Sequence, residues 1–160
     1  MVSVPRDGGP TSFVPLRELL EAQPPSLQAS WKRLWMCTRA DREGHTHPMV
    51  HRHPETGDPA LIFHLGMTHR FVWDADNPSA ARMTSRGETA DLLEGIHHAI
   101  THTARHLIYH HVWEPGDFII SDNLAVAHEA SPQTQRPVEQ VGLRVLHRTT
   151  VKGTHMPVKL

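Results

Sequence analysis

Histidine, arginine and one Asp-Asn pair are the groups in this chain with the types and spacing to do chemistry. The 160 residues include fifteen histidines and a single cysteine, Cys37. His98, His102 and His106 recur every fourth residue, so on a helix they share a face and could bind a transition metal. Thr, Ala and Arg fill the gaps and no Cys or carboxylate joins the three, so a solvated histidine face is the plainer reading. His47, His51 and His53 would alternate onto one face of a strand and raise the same question. A third set lies in residues 113–153. Pro115-Gly116-Asp117 is a turn signal, and Phe118-Ile119-Ile120 after it reads as a short buried strand. Asp122-Asn123 ends that run, because both side chains bond their own backbone in turns. His128 follows; alone it reads as a buried histidine satisfied by backbone. Beyond a polar loop, Arg144, Leu146 and Arg148 alternate onto one strand face. A guanidinium there offers two parallel donors, the geometry that a carboxylate matches.

Taken in order, Trp113, Pro115, Gly116, Asp117, Asp122, Asn123, His128, Arg144, Arg148 and Gly153 resemble the C-terminal half of the TauD/TfdA family. These are Fe(II)- and 2-oxoglutarate-dependent dioxygenases with the pattern W-x-P-G-D, D-N-R-x-x-x-H, then R-x-x-x-R near a glycine. Leu124 departs from it, standing where the family usually has arginine. Gly8-Gly9-Pro10-Thr11 is similar to the family's G-G-x-T, and residues 47–57 (HPMVHRHPETG) to its H-P-V-V-R-x-H-P-E-T-G. The resemblance implies a metal held by two histidines and a carboxylate, with open positions for 2-oxoglutarate and O₂. The chemistry is then oxidation of a substrate C–H bond, supplied by the metal and oriented by the protein. It also implies roles: His128 as the distal Fe(II) ligand, Arg144 as the 2-oxoglutarate clamp, and Thr11 as a hydroxyl beside it. Arg148 would face the substrate, a small and anionic organic molecule. The histidines at 47 and 53 then read as scaffold. His53-Pro54-Glu55 has the form H-x-E, but proline fixes the backbone there, and no ligand role is carried onto it.

The elements that must position these groups can be read along the chain. Residues 1–11 have loop composition. A short helix is expected over 13–20, with Leu16, Leu19 and Leu20 as its apolar stripe, and a second from Ser26 as N-cap to Met36. Residues 39–46 are polar loop, and residues 47–65 read as a hairpin with Pro54 to Gly57 as its turn. Residues 66–80 read as a connection toward the substrate end, with Phe71 and Trp73 as candidate pocket walls, although core is the commoner role for such a pair. A helix is expected after Arg86-Gly87-Glu88 to about residue 103, burying Leu92, Leu93, Ile96 and Ile100. A strand over 107–112 then enters the Pro-Gly-Asp turn.

Composition sets limits. The net charge of −1 with neutral histidine leaves no electrostatic footprint for nucleic acid or an anionic membrane. No apolar run approaches the roughly 20 residues that a membrane helix needs. One cysteine excludes an internal disulfide and suits a reducing, cytoplasmic compartment. The length fits one domain.

The expected architecture is mainly β with helical additions, a double-stranded β-helix (jelly roll) incomplete at its N-terminal side. The family takes its first two metal ligands from an H-x-D motif upstream of G-G-x-T, and no H-x-D occurs in the 160 residues. Three readings stay open: a dioxygenase portion that is silent alone, a jelly-roll binding protein without turnover, and a histidine-rich metal-binding protein. The expected partners are a small-molecule substrate and, through exposed strand edges, a second copy of the chain.

Overall fold

Thr11, Phe13 and Val14 are β-branched or aromatic residues that suit a pleated, half-buried surface. They lie in strand β1 (Thr11–Pro15), in the computed structural model, which describes residues 3–4, 9–38 and 45–160. Gly8 and most of the polar loop expected at 39–46 fall outside the described residues. Pro15 is extended (φ −72°, ψ 128°) and precedes the first residue of helix α1 (Leu16–Glu21), where its missing N–H costs no helical bond. The helix expected over 13–20 is thus helical only from Leu16, whose side chain is buried with Leu19 and Leu20.

Helix α2 (Pro25–Trp31) carries Pro25 in its first turn, where proline is well tolerated. Pro24, rather than Ser26, occupies the N-cap, and the helix stops at Trp31 instead of reaching Met36. Leu34 and Met36 are buried and Trp35 half-buried, a period of two that belongs to a strand. This is β2 (Leu34–Cys37). The physical reason is pairing: β2 gains a hydrogen-bonded neighbour on both sides, which an isolated helical end could not.

The following strands are β3 (Thr46–Pro48), β4 (Val50–Arg52), β5 (Pro59–Leu61), β6 (Arg70–Trp73) and β7 (Arg82–Met83). One sheet has the order β3-β2-β6-β7, so the segment expected as a plain connection at 66–80 supplies a central strand. The expected hairpin is present: β4 and β5 pair antiparallel with Val50 opposite Leu61 and His51 opposite Ala60. Its turn ends at Gly57, whose φ of 76° suits a residue without Cβ.

Helix α3 (Arg86–His98) starts where Ser85 accepts the Glu88 N–H at 3.1 Å, an N-cap bond. It continues through a π-helical turn, Ala99–Thr103, as the expected helical segment does. The Glu88 carboxylate accepts from Trp73 Nε1 at 2.7 Å and from Arg82 at 2.7 and 2.8 Å, tying α3 to β6 and β7. Strands β8 (Tyr109–His111) and β9 (Val126–Ala130) flank β1 in a sheet of order β8-β1-β9. A last strand, β10 (Val158–Lys159), pairs with β4. Val14, Leu16, Leu19, Leu20, Trp31, Leu34, Met49, Leu61, Phe71 and Ile96 form the core between these layers.

Two expected strands are absent. Phe118, Ile119 and Ile120 are in no strand and are 82%, 38% and 90% exposed. Arg144, Leu146 and Arg148 lie in irregular backbone, held by one isolated bridge between Ser3 and Val145. Both segments have strand-like sequence and, among the described residues, no neighbouring strand that takes up their backbone bonds.

Candidate functional site

Thr11 sits in β1 opposite His111 of β8 and Ala130 of β9. Phe13, two residues on, lies opposite Tyr109 and His128. Because side chains alternate, Thr11, Phe13, His111 and His128 share one face of the β8-β1-β9 sheet. The ring contacts agree: Phe13 is 6.5 Å from Tyr109 and 6.0 Å from His128, centroid to centroid. His128 is therefore a diagonal neighbour of Thr11, roughly 7–8 Å away by strand geometry.

Three residues converge at the Thr11 end. The Trp113 indole donates to Thr11 Oγ1 at 2.8 Å, and Arg144 Nη2 donates to the same oxygen at 3.1 Å. Arg144 Nη1 also donates to the Gly9 carbonyl at 3.3 Å, and its guanidinium lies 5.9 Å from the Trp113 ring centroid. Thr11 and Trp113 are buried and Arg144 is half-buried. A hydroxyl has two lone pairs and one proton. Two donors occupy the lone pairs, so the Thr11 proton is left to point at a third, acceptor group. Arg144 spends two of its five N–H bonds on these contacts, and among the described residues no carboxylate pairs with it. The site is donor-rich and suits a carboxylate.

The W-x-P-G-D motif has a local cause. Asp117 accepts from the Glu114 N–H at 2.9 Å, closing the Pro115-Gly116 turn, where Gly116 has φ of 94°. The same carboxylate meets His111 Nε2 at 3.1 Å, and the His111 ring stands edge-on to Trp113 at 4.4 Å. The turn thereby fixes the indole that holds Thr11. Sequence alone gives Trp113 no role beyond the motif, and the Gly9 carbonyl none at all; both emerge only when β1 meets the Pro-Gly-Asp turn.

Arg148 does not accompany Arg144. It is exposed and lines a cavity of about 700 Å³ with His128, Phe13, His110, Ile62 and Ile108, among others. Phe71 is fully buried core and Trp73 bonds Glu88, so neither expected pocket wall lines that cavity.

A metal is a different matter. Among the described residues no three His, Cys, Asp or Glu side chains are grouped so as to hold a metal ion. His128 is exposed, and its ring is tilted against that of Phe13. His51 and His53 are buried, away from any such group. The rings of His98 and His102 stack at 4.2 Å on the surface without a third ligand. Among the described residues, then, this donor set fits a carboxylate and does not by itself fit iron. Among the described residues no helix is long and apolar enough to cross a membrane.

Comparison with known proteins bears on the family and the fold. An (S)-phenoxypropionate/alpha-ketoglutarate-dioxygenase from Sphingobium herbicidovorans is 30% identical over 153 residues, covering 81% of this chain and 49% of the relative. A taurine dioxygenase from Burkholderia xenovorans superposes with a TM-score of 0.55 at 26% identity, over 81% of this chain and 42% of that one. AAD-2, solved with Mn(II) and N-oxalylglycine, gives a TM-score of 0.63 at 19% identity, over 79% of this chain and 46% of that one. The chain thus spans about half the length of the relatives it matches. The fold is mainly β with helical additions, the jelly roll of TauD-type dioxygenases. The model of the taurine catabolism dioxygenase TauD, TfdA family matches residues 1–150, and the chain belongs to that family.

Proposed function

We propose that this chain binds 2-oxoglutarate through Arg144 and Thr11. In this reading it forms the co-substrate portion of an Fe(II)- and 2-oxoglutarate-dependent dioxygenase site for a small organic anion. The observation that carries the reading is the Arg144–Thr11–Trp113 cluster: spare guanidinium and hydroxyl donors, half-buried, with no carboxylate among the described residues to receive them. The cation neutralises the distal carboxylate of the diacid, and Thr11 donates its remaining proton to the same group. The other end of the diacid extends along the sheet face toward His128. Apolar walls at Phe13, Ile62 and Ile108 with Arg148 at the rim suit a substrate with an apolar body and an anionic end.

Among the described residues, His128 is the one ligand offered toward Fe(II) in this reading. One histidine does not hold iron tightly, because affinity rises with ligand number and preorganisation. The chain alone is therefore silent in turnover, and an active site needs two further ligands.

Isothermal titration of the purified chain with 2-oxoglutarate tests the reading. Arg144→Ala should weaken binding about 10- to 100-fold, the worth of hydrogen bonds to a charged group, while His128→Ala should leave it unchanged. Equal affinity in wild type and Arg144→Ala, or no binding by the folded wild type, overturns the proposal. An anaerobic addition of Fe(II) with 2-oxoglutarate should give no visible charge-transfer band. A band lost in His128→Ala would instead mean that a complete site assembles from several copies.

A further inference from the structure

The HPETG turn and the Asp-Asn corner, 69 residues apart, meet in one hydrogen-bonded unit. His53 is 6% exposed, and its Nδ1 receives the backbone N–H groups of Glu55 and Thr56, each at 3.3 Å. A nitrogen that accepts two N–H bonds carries no proton in the neutral ring, so the proton sits on Nε2. That atom lies 3.0 Å from Asp122 Oδ2 and donates to it. The other carboxylate oxygen, Oδ1, accepts the Leu124 N–H at 2.8 Å. The Asp122 carbonyl accepts the Ala125 and Val126 N–H groups at 3.1 and 2.9 Å, and Val126 opens β9.

Among the described residues β9 is an edge strand, paired with β1 alone. A one-residue slip of an edge strand turns every side chain to the opposite face, and here it would carry His128 away from Thr11. We infer that His53 is a positioning residue: as the Nε2–H tautomer it clamps Asp122, and through Asp122 it holds the turn that sets the register of the His128 strand. The inference rests on the proposed function only in taking His128 as the group worth positioning, since the clamp itself is independent of any ligand.

The test separates the two ends of the imidazole. In His53→Asn the amide oxygen can replace Nδ1 toward Glu55 and Thr56, but the side chain is too short for Asp122. In His53→Gln the amide nitrogen can replace Nε2 toward Asp122 and the turn acceptor is lost. Native-state hydrogen exchange should show the Leu124, Ala125 and Val126 amides exchanging about tenfold faster in His53→Asn, with the Glu55 and Thr56 amides near wild type. His53→Gln should show the reverse. The nitrogen spectrum of the wild-type ring should report the Nε2–H tautomer, a readout that requires no variant to fold. An Nδ1–H tautomer, unchanged exchange at 124–126 in His53→Asn, or equal acceleration of both sets in each variant would overturn the inference. None of these readouts depends on 2-oxoglutarate binding, so failure here and failure of the co-substrate proposal are distinguishable.

Discussion

Among single residues, His51 combines complete burial with a titratable ring. It is 0% exposed, and apart from an approach to the Ala60 backbone neither ring nitrogen has a hydrogen-bond partner. Burial pushes its pKa down to about 4, with the neighbouring His53 adding to the effect. The ring must be neutral in the fold but protonates near its ordinary value of 6.5 once unfolded. The unfolded chain therefore binds the extra proton between these two values. The stability linked to His51 is complete above pH 6.5 and is lost as pH falls toward 4, with no further loss below. The difference amounts to about 3 kcal/mol. Urea unfolding of wild type should show this decline between neutral pH and pH 4.5, and His51→Leu should flatten it. An identical slope in both proteins would mean that other groups govern the acid response. His53, two residues on and also buried, has partners at both nitrogens; the contrast is between a histidine used as apolar filling and one used as a clamp.

At the level of elements, the start of α3 is where local sequence and tertiary contact coincide. Ser85-Arg86-Gly87-Glu88 has the S-x-x-E spacing of a capping box, and the Ser85 hydroxyl does accept the Glu88 N–H. The Glu88 carboxylate is drawn away to Arg82 and Trp73, and Arg82 first and Trp73 second pull its pKa down to about 2. Ser85→Ala should cost about 1 kcal/mol, the usual worth of an N-cap, read as a lower urea midpoint with an unchanged slope. A larger loss with a changed slope would place Ser85 in the wider β6–α3 contact instead. Elements that the sequence presents well are those whose signal is local, such as the body of α3 and the β4–β5 hairpin with Gly57 in its turn. β1, β2 and β6 do not show as strands in the sequence, which reads there as loop and helix, helix, and connection. Leu34 to Cys37 continues a helical stripe as readily as it alternates, and only pairing with β3 and β6 decides between them.

Across the whole molecule, exposed apolar side chains are concentrated in the last third. Tyr109, Val112, Phe118, Ile120, Leu143 and Val151 are each at least 58% exposed. Phe118, Ile119 and Ile120 form an apolar run with no strand beside it. Exposed strand-like segments of this kind pair with other chains. The purified chain should therefore associate with rising concentration in sedimentation velocity. Phe118→Lys combined with Ile120→Lys should shift it toward monomer while leaving 2-oxoglutarate affinity intact, because neither residue touches the Arg144–Thr11 cluster. A wild type that stays monomeric at every concentration would show that this surface is adequately solvated as it stands.

The family was determined by the sequence alone, because its motifs are runs of residue types whose causes are local: a Pro-Gly-Asp turn, an Asp-Asn corner, a Pro-Glu-Thr-Gly turn. The same residues named Thr11, His128 and Arg144 as a set worth watching. Which of them meet was decided by tertiary structure. The contact between Arg144 and Thr11 bridges 133 residues, and no window of sequence contains both. Arg144 reaches Thr11 from irregular backbone, without the strand that its alternation suggested, because a hydrogen bond requires only that donor and acceptor arrive together. Arg148, paired with it by spacing, goes instead to the cavity beside His128. The strand expected at 118–120 failed for the complementary reason: a short apolar run proposes a buried strand, but a strand exists only where another backbone accepts its hydrogen bonds.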